Sequence, residues 1–365
     1  MKYAIVHDDF MQKFGGAEKV VYSLSEIYPK ADIITSISNS LNLKIFKNLK
    51  TSRFQKYKFM KKYSKKLFFL YPIIFETLNF DDYDIVISSS SRFAHGIITS
   101  PSTMHICYMH SPSRYIWDYN DYIKMQKVSF LQGLVLPFIV SYLRVWDYAA
   151  AQRVDYFIAN SEYTKERIKK FYNRDSIVIY PPVEINKYLT LKNLSKDFYL
   201  YVGRIVEWKR IDIIIESFNK SGKEVHIVGN GDREYIDYLK GLSKENIKFL
   251  ENIEDSDLLD QYRRCIALIY PQKEDFGITP VEALACGKPV IAYSKGGVLE
   301  SVVEGKNGLF FDNQNEISLS STIDKFETLS FSEKDCRNSA KRFSEDIFRK
   351  SIKNTVEDLW KKRLK

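Results

Sequence analysis

Residues 271–308 read PQKEDFGITPVEALACGKPVIAYSKGGVLESVVEGKNG, and the rest of the chain is organised around them. Leu268-Ile269-Tyr270 closes an apolar strand just before this stretch, residues 273–278 read as a loop, and Thr279-Pro280 reads as a helix start. Thr279 suits the N-cap and Pro280 the first helical position, where no intrahelical N–H is needed. Glu282 stands three residues after Thr279 and completes a capping-box pattern. Gly287 ends the helix, and Lys288-Pro289 leads into a strand at Val290-Ile291-Ala292. Strand, loop, helix, strand is the repeating unit of a parallel sheet. Its loop and helix N-terminus form an anion site at the carboxyl edge of that sheet, suited to a phosphate or a diphosphate.

The same alternation continues on both sides of this unit. Towards the N-terminus, buried-type strands are expected at 3–7, 31–37, 83–88, 104–109, 154–159 and 176–180, with helical spacing from Ala17 and again over YTKERIKKFY. Residues 184–196 are polar and weakly patterned and read as a linker. From 198 onward strands at 198–202, 224–228, 247–250 and 267–270 alternate with helices at 211–218, 233–242 and 258–264. Two doubly wound, Rossmann-like α/β domains are therefore expected, 1–190 and 196–343. The tail 344–365 reads as one amphipathic helix, with Ile347, Ile352, Val356, Leu359 and Trp360 on its apolar side, packing back on the first domain.

Composition agrees. A chain of 365 residues exceeds one ordinary core, and 45% hydrophobic with 28% charged residues is a globular balance. The formal charge of +9 suits nucleic acid, an anionic membrane or an anionic small molecule, so its placement decides. Cys107, Cys265, Cys286 and Cys336 show no metal or redox spacing and read as small core residues of a reducing compartment. MKYAIVHDDF has no signal-peptide pattern, and no apolar run is read as reaching the roughly 18 residues of a bilayer span. A cytoplasmic or peripheral protein is expected.

The second domain opens YVGRIVEWKRIDIIIESF, with Arg204 directly after a strand-ending Gly203 and Lys209 just before a helix. A guanidinium and an ammonium across one strand-to-helix loop can close on two linked phosphates; the alternative is a solvated basic loop. These motifs resemble the retaining, nucleotide-sugar-dependent glycosyltransferases of the GT-B fold, specifically glycosyltransferase family 4. The similarity is strongest over 202–310 and extends to CYMHSPSRYIWDY in the first domain. Glu274 and Glu282 match the family's Glu-x7-Glu motif, and EDFGITPVEALACGKPVIA with VGRIVEWKRID resembles the mannosyltransferase-like members that build bacterial O-antigen or capsule.

The resemblance implies GT-B architecture, two Rossmann-like domains facing a central cleft. It implies that Arg204 and Lys209 hold the donor diphosphate, that Glu274 contacts sugar hydroxyls, and that Glu282 contacts the ribose. Backbone amides of Phe276, Gly277, Ile278 and Thr279 would face the sugar or phosphates. His110, at the end of the strand HICYM, would contact the donor sugar; a purely structural histidine is the alternative. Gly15 and Gly16 resemble the family's N-terminal glycine loop, or form an ordinary N-cap turn. Gly229-Asn230-Gly231-Asp232 resembles the glycine turn near the base, but departs from the commoner Gly-Asp-Gly order and leaves the base open. Arg114, Tyr115, Trp117 and Asp118 would line the same cleft towards the acceptor. GDP-mannose is the preferred donor on this resemblance, with a UDP-sugar as competitor.

Between Lys44 and Phe75 stand ten Lys or Arg and no Asp or Glu. Lys58, Lys61, Lys62, Lys65 and Lys66 fall at helical spacing on one face, with Phe59, Tyr63, Leu67 and Leu70 on another. Such a segment suits an anionic membrane surface or a lipid diphosphate, or is a solvated surface helix. Residues 128–142 are apolar but short and interrupted by Pro137, either interfacial or a core helix. Asp82-x-Asp84 and Asp255-x-Asp257 resemble metal-binding carboxylate pairs, but Asp255 reads as a helix cap and Asp84 as a strand start, so no metal or other cofactor is expected. The expected partners are a nucleotide-sugar donor, a glycolipid or oligosaccharide acceptor and an anionic membrane on the cytoplasmic face, with no nucleic acid. A GT-B sugar phosphorylase or synthase, and a non-enzymatic basic module, are the competing readings.

Overall fold

The computed structural model describes residues 1–11, 15–39, 45–46, 48–63, 67–119, 130–189, 192, 194 and 197–364. The chain forms two units, Met1–Pro182 with Asp346–Lys365, and Val183–Glu345.

The first unit is built on a parallel seven-stranded sheet. Its strands are β1 (Tyr3–His7), β2 (Asp32–Thr35), β3 (Leu49–Thr51), β4 (Ile85–Ser90), β5 (Met104–Met109), β6 (Tyr156–Ala159) and β7 (Ser176–Val178), in the order β3-β2-β1-β4-β5-β6-β7. Ile5 of β1 stands beside Ile33 of β2 and Ile87 of β4. Alternate residues feed opposite faces. Ile5, Ile33, Ile85 and Ile87 meet Phe348, Ile352, Val356 and Leu359 of the C-terminal helix Glu345–Arg363 on one face. Ala4, Val6, Ile34 and Val86 meet Tyr71, Ile74, Leu143 and Trp146 on the other. Because both faces are covered, the central strands β1, β4 and β5 are buried almost throughout and show little polar alternation.

The structure departs from the sequence expectations in several places. β4 runs two residues further than expected because Ser88, Ser89 and Ser90 are satisfied inside the core by His105, His110 and His95. The basic stretch is not one helix. It contributes the edge strand β3, whose Lys50 pairs with Asp32 of β2 at 2.8 Å, and a short helix Lys58–Lys62. Lys65 and Lys66 lie outside the described residues. Of the apolar face expected on this segment, Phe59 and Tyr63 are exposed, while Leu67 and Leu70 are partly buried against the first unit's core. The apolar run from 128 becomes a helix, Phe130–Arg153, that passes through Pro137. Its portion Gly133–Arg153 is long and apolar enough to cross a membrane by length and composition, against the expectation of no such segment, and a third of it is buried. Ile347 is exposed, one position off the stripe set by Phe348, Ile352, Val356 and Leu359.

The second unit carries a parallel six-stranded sheet of β8 (Phe198–Val202), β9 (Val225–Val228), β10 (Ile247–Leu250), β11 (Cys265–Tyr270), β12 (Val290–Tyr293) and β13 (Gly308–Phe311). The order is β10-β9-β8-β11-β12-β13, so the winding reverses between β8 and β11. Tyr199, Tyr201, Ile227, Ile269 and Ile291 pack there against Ile214 and Phe218 of the helix Ile211–Ser221. The segment read as a linker contains the helix Asn186–Leu189, which belongs to this unit; the Tyr188 ring meets Tyr262 edge-on at 5.8 Å. All four cysteines are buried free thiols.

Candidate functional site

In an open parallel sheet the strand ends at the point of reversed winding diverge and leave a crevice. In the second unit this crevice opens between the carboxyl ends of β8 and β11, and two sequence-predicted residues meet there. Lys209, in the short turn Glu207–Lys209 after β8, pairs through Nζ with Oε1 of Glu274 in the loop after β11. The Tyr270 hydroxyl, at the last position of β11, donates to Oε2 of the same carboxylate at 3.1 Å. Lys209 is 8% exposed, so its ammonium is a fixed charge in a low-dielectric wall and not part of a solvated loop. Arg204 is exposed, its guanidinium 5.5 Å from the centroid of the Trp208 ring. Arg210 is committed elsewhere: it holds Asp212 at 3.0 Å with φ 55° at the N-cap of the helix Ile211–Ser221.

Glycines bring the surrounding loops within reach. A Cβ on Gly229, whose φ is +150°, would stand 1.9 Å from the Gly203 carbonyl, so the turn after β9 lies directly on the strand end that precedes Arg204. The Ile205 N–H donates to the Asn230 carbonyl at 2.9 Å and fixes that approach. Gly296, with φ +88°, lies against the Glu274 backbone, and the Gly297 N–H donates to the Glu274 carbonyl at 2.8 Å. The loop carrying Glu274 is thereby pinned by the loop after β12.

The helix that follows spans Ile278–Ala285 with Gly277 as its N-cap, two residues earlier than expected. Thr279 and Pro280 are its second and third residues, and no capping box with Glu282 forms. Pro280 still fits, because the N–H groups of the first turn have no intrahelical acceptor. Phe276, Gly277, Ile278 and Thr279 therefore sit at the helix N-terminus, beside the Lys209–Glu274 pair. Glu282 is 7% exposed and turned into the unit, where its Oε2 accepts from the Tyr262 hydroxyl at 3.0 Å; Tyr188 also hydrogen-bonds to it. Burial, and then the Glu282 charge, push both phenols above their ordinary range.

In the first unit the winding reverses between β1 and β4. His110 follows β5, half-buried, with Nε2 2.8 Å from Ser89 Oγ; His7 Nδ1 lies 3.3 Å from the same hydroxyl. Ser89 thus stands between two imidazoles. Asp8, just after β1, accepts the backbone N–H groups of Ser91, Arg92, Phe93 and Ala94 and the Ser91 hydroxyl. Burial opposes the Asp8 charge, but Arg92, His7 and these amides outweigh it and hold its pKa below the ordinary carboxylate value. Gly15 is the N-cap of the helix Gly16–Ile27, and its N–H donates to Glu18 Oε2 at 3.0 Å.

The segment of Arg114, Tyr115, Trp117 and Asp118 is tied into the first unit. Trp117 Nε1 donates to Asp147 Oδ2 at 2.7 Å, and its ring stacks on Phe171. The Tyr115 ring packs on Phe68 and Phe93, and Asp118 pairs with Arg167 at 2.9 Å. Of the aspartate pairs, Asp84 accepts from the Lys2 N–H and Asp82 pairs with Lys2. Asp255 is the first residue of its helix and Glu254 is the N-cap, correcting the expected cap. Sequence reasoning missed Tyr270, Tyr262, Tyr188, Asp8 and Ser89. Tyr270, Asp8 and Ser89 were signalled by position, since each ends or follows a strand at a carboxyl edge.

The fold and the site define a chain of two doubly wound α/β domains with a charged crevice at a reversal point. Residues 184–343 match the family model described as Glycosyl transferases group 1, and residues 14–187 match that described as Glycosyltransferase Family 4. The chain belongs to glycosyltransferase family 4, with the GT-B fold. It is 30% identical over 177 residues to an uncharacterized glycosyltransferase, MJ1178, of Methanocaldococcus jannaschii, covering 48% of this chain and 50% of that protein. It is 27% identical over 207 residues to the mouse α-1,3/1,6-mannosyltransferase ALG2, covering 47% and 50%. The chain spans about half the length of these curated relatives. Among solved structures it resembles Anabaena Alr3699/HepE in complex with UDP and glucose, with a TM-score of 0.72, 17% identity and coverage of 98% of this chain and 99% of that one.

Proposed function

We propose that the chain is a retaining hexosyltransferase that moves mannose from GDP-mannose to a lipid-linked or oligosaccharide acceptor in bacterial lipopolysaccharide O-antigen or capsule synthesis. The single observation that carries this reading is the Lys209–Glu274 pair at the reversal point of the second sheet, beside a helix N-terminus. The name of the mouse relative favours mannose.

In this reading the diphosphate of the donor lies between Arg204, Lys209 and the amides of Phe276, Gly277, Ile278 and Thr279. Glu274 accepts hydrogen bonds from sugar hydroxyls while still neutralising Lys209, Gly229 lines the base, and Glu282 meets the ribose. In the first unit taken by itself, His110 is the candidate for a sugar hydroxyl, and Gly15 and Gly16 are the candidates for close backbone approach to phosphate or acceptor. The bond from the anomeric carbon to the phosphate oxygen breaks, and the acceptor oxygen bonds to the same face of that carbon. The acceptor proton passes to the departing phosphate. Charge grows on the leaving diphosphate, so fixed cations and amides stabilise the transition state more than the ground state. No metal is required, and the protein works peripherally at the cytoplasmic face of the inner membrane, with Lys58, Lys61 and Lys62 towards anionic lipid.

A thermal-shift panel of GDP-, UDP- and ADP-sugars tests the donor, since a ligand at a hundred times its Kd stabilises by about 2.7 kcal/mol. GDP-mannose is expected to shift Tm most, and no shift with any sugar nucleotide overturns the reading. A second reading, a UDP-sugar donor, is favoured by the UDP and glucose bound to the Anabaena neighbour. NMR of the product decides retention. Activity that is lost on chelation and restored by a divalent ion would overturn metal independence.

A further inference from the structure

The helix Phe130–Arg153 packs Val140, Leu143, Trp146 and Ala150 into the first unit together with its charged residues, and its outward side is also apolar. Arg144, Asp147 and Arg153 are its charged residues, and all three have partners within the first unit. Arg144 donates to the Ile116 carbonyl at 2.9 Å, Asp147 is fully buried and accepts from Trp117 and from Tyr172, and Arg153 donates to Glu76 and to the Gly96 carbonyl. The exposed side carries Leu134 at 54%, Val135 at 55%, Phe138 at 79%, Tyr142 at 60%, Val145 at 72% and Tyr148 at 44%. Steps of three and four place these on one stripe, and no charged residue is exposed between 133 and 152. Scattered apolar residues on a surface are ordinary; a continuous stripe of this kind marks a contact.

The basic segment adjoins this helix. Leu67, Phe68, Leu70 and Tyr71 share one apolar cluster with Ile139, Leu143 and Trp146, and the Trp146 indole donates to Glu76 at 2.8 Å. On the segment's outer side Tyr57, Phe59 and Tyr63 are exposed together with Lys58 and Lys62.

We propose that the outward face of the helix Phe130–Arg153 is a membrane-docking surface: the helix lies flat, its stripe enters the acyl boundary, and Lys58, Lys61 and Lys62 meet anionic headgroups. This deepens the membrane part of the reading above and locates it on a helix. The helix does not span, because crossing would strip Asp147, Arg144 and Arg153 of their partners. Lipid is chosen over a second copy of the chain because ten basic and no acidic residues in 44–75 would set like charges opposite each other in a symmetric pair, whereas they complement anionic lipid. Tyr57, Tyr63, Tyr142 and Tyr148 have the mixed character that favours the headgroup level.

The test is flotation of the full chain with vesicles of phosphatidylcholine and with an equimolar mixture of phosphatidylcholine and phosphatidylglycerol. The wild type is expected to float with the mixed vesicles and to release as salt rises. Phe138→Glu with Val145→Glu should lower partition roughly tenfold or more, at unchanged Tm and unchanged sugar-nucleotide shift. Lys58→Glu with Lys62→Glu should lower it on mixed vesicles, roughly fivefold or more per lysine, with little change on phosphatidylcholine alone. Wild type that stays with neither vesicle, or a Phe138/Val145 variant that floats unchanged, overturns the proposal. A sedimenting dimer that Val145→Glu splits assigns the face to a second copy and also overturns it. Loss of the sugar-nucleotide shift with flotation intact counts against the transferase reading and leaves the docking surface standing.

Discussion

Lys209 and Glu274 lie 65 positions apart in sequence and form one ion pair across the ends of the adjacent strands β8 and β11. The pair answers two needs at once. A buried ammonium requires a counter-charge, and a sugar-binding carboxylate requires a fixed position; each residue supplies what the other lacks.

Lys209→Met is expected to lower kcat/KM by roughly a hundredfold or more, because a cation aimed at the leaving diphosphate is lost. Glu274→Ala should lower transfer comparably and also destabilise the second unit by about 1–3 kcal/mol, since it strands the Lys209 charge. Glu274→Gln, which keeps the shape and one acceptor, should recover much of the stability and little of the rate. Urea unfolding beside steady-state kinetics separates the two effects.

Glu282 is gripped by Tyr262 and Tyr188. Glu282→Ala leaves two buried phenols without their acceptor and should cost about 2–4 kcal/mol. Tyr262→Phe removes one bond and should cost about 1 kcal/mol. If Glu282 meets the ribose, Tyr262→Phe should also raise donor KM through a looser carboxylate, readable in initial-rate kinetics.

Gly296→Ala tests the loop clasp. The added Cβ would stand 2.3 Å from the Glu274 carbonyl at a backbone φ of +88°. Strain and clash together should cost about 2–4 kcal/mol. The donor-induced thermal shift should fall with it, because Glu274 is displaced.

Stability should decline on acidification in two stages. Burial pulls the His105 pKa down to about 3. An unfolded histidine titrates near about 6.5, so the unfolded state gains the proton first; stability is full above about 6.5 and falls towards about 3. Asp8 is also depressed, so its contribution is present above the unfolded carboxylate value of about 3.9 and is lost as pH falls through its lower folded value. His105→Gln should flatten the first stage and leave the second. Urea titrations from about pH 8 to about pH 3 check both.

Much of this was legible in the residues. Apolar runs bounded by turns located most strands, and with them the loops after strands that carry Arg204, Lys209 and Glu274; Glu274 itself was singled out by its resemblance to the family's Glu-x7-Glu motif. The helix start at Gly277 was not legible, because Thr279-Pro280 satisfies the same local rules two residues later. Nor was the burial of Glu282, whose tyrosine partners come from positions 188 and 262.

What the sequence by itself determined is the alternation of elements, the family motifs and the chemical types available at each strand end, since these depend on neighbours within a few positions. Only the tertiary structure decided the strand order, and with it which ends meet: β8 lies beside β11, so Lys209 reaches Glu274. It also decided which side of the helix Phe130–Arg153 faces out. Periodicity marks a stripe but not its direction: Leu143, Trp146 and the buried partners of Arg144 and Asp147 hold one side of the helix in, and the second apolar stripe through Phe138, Tyr142 and Val145 stays exposed.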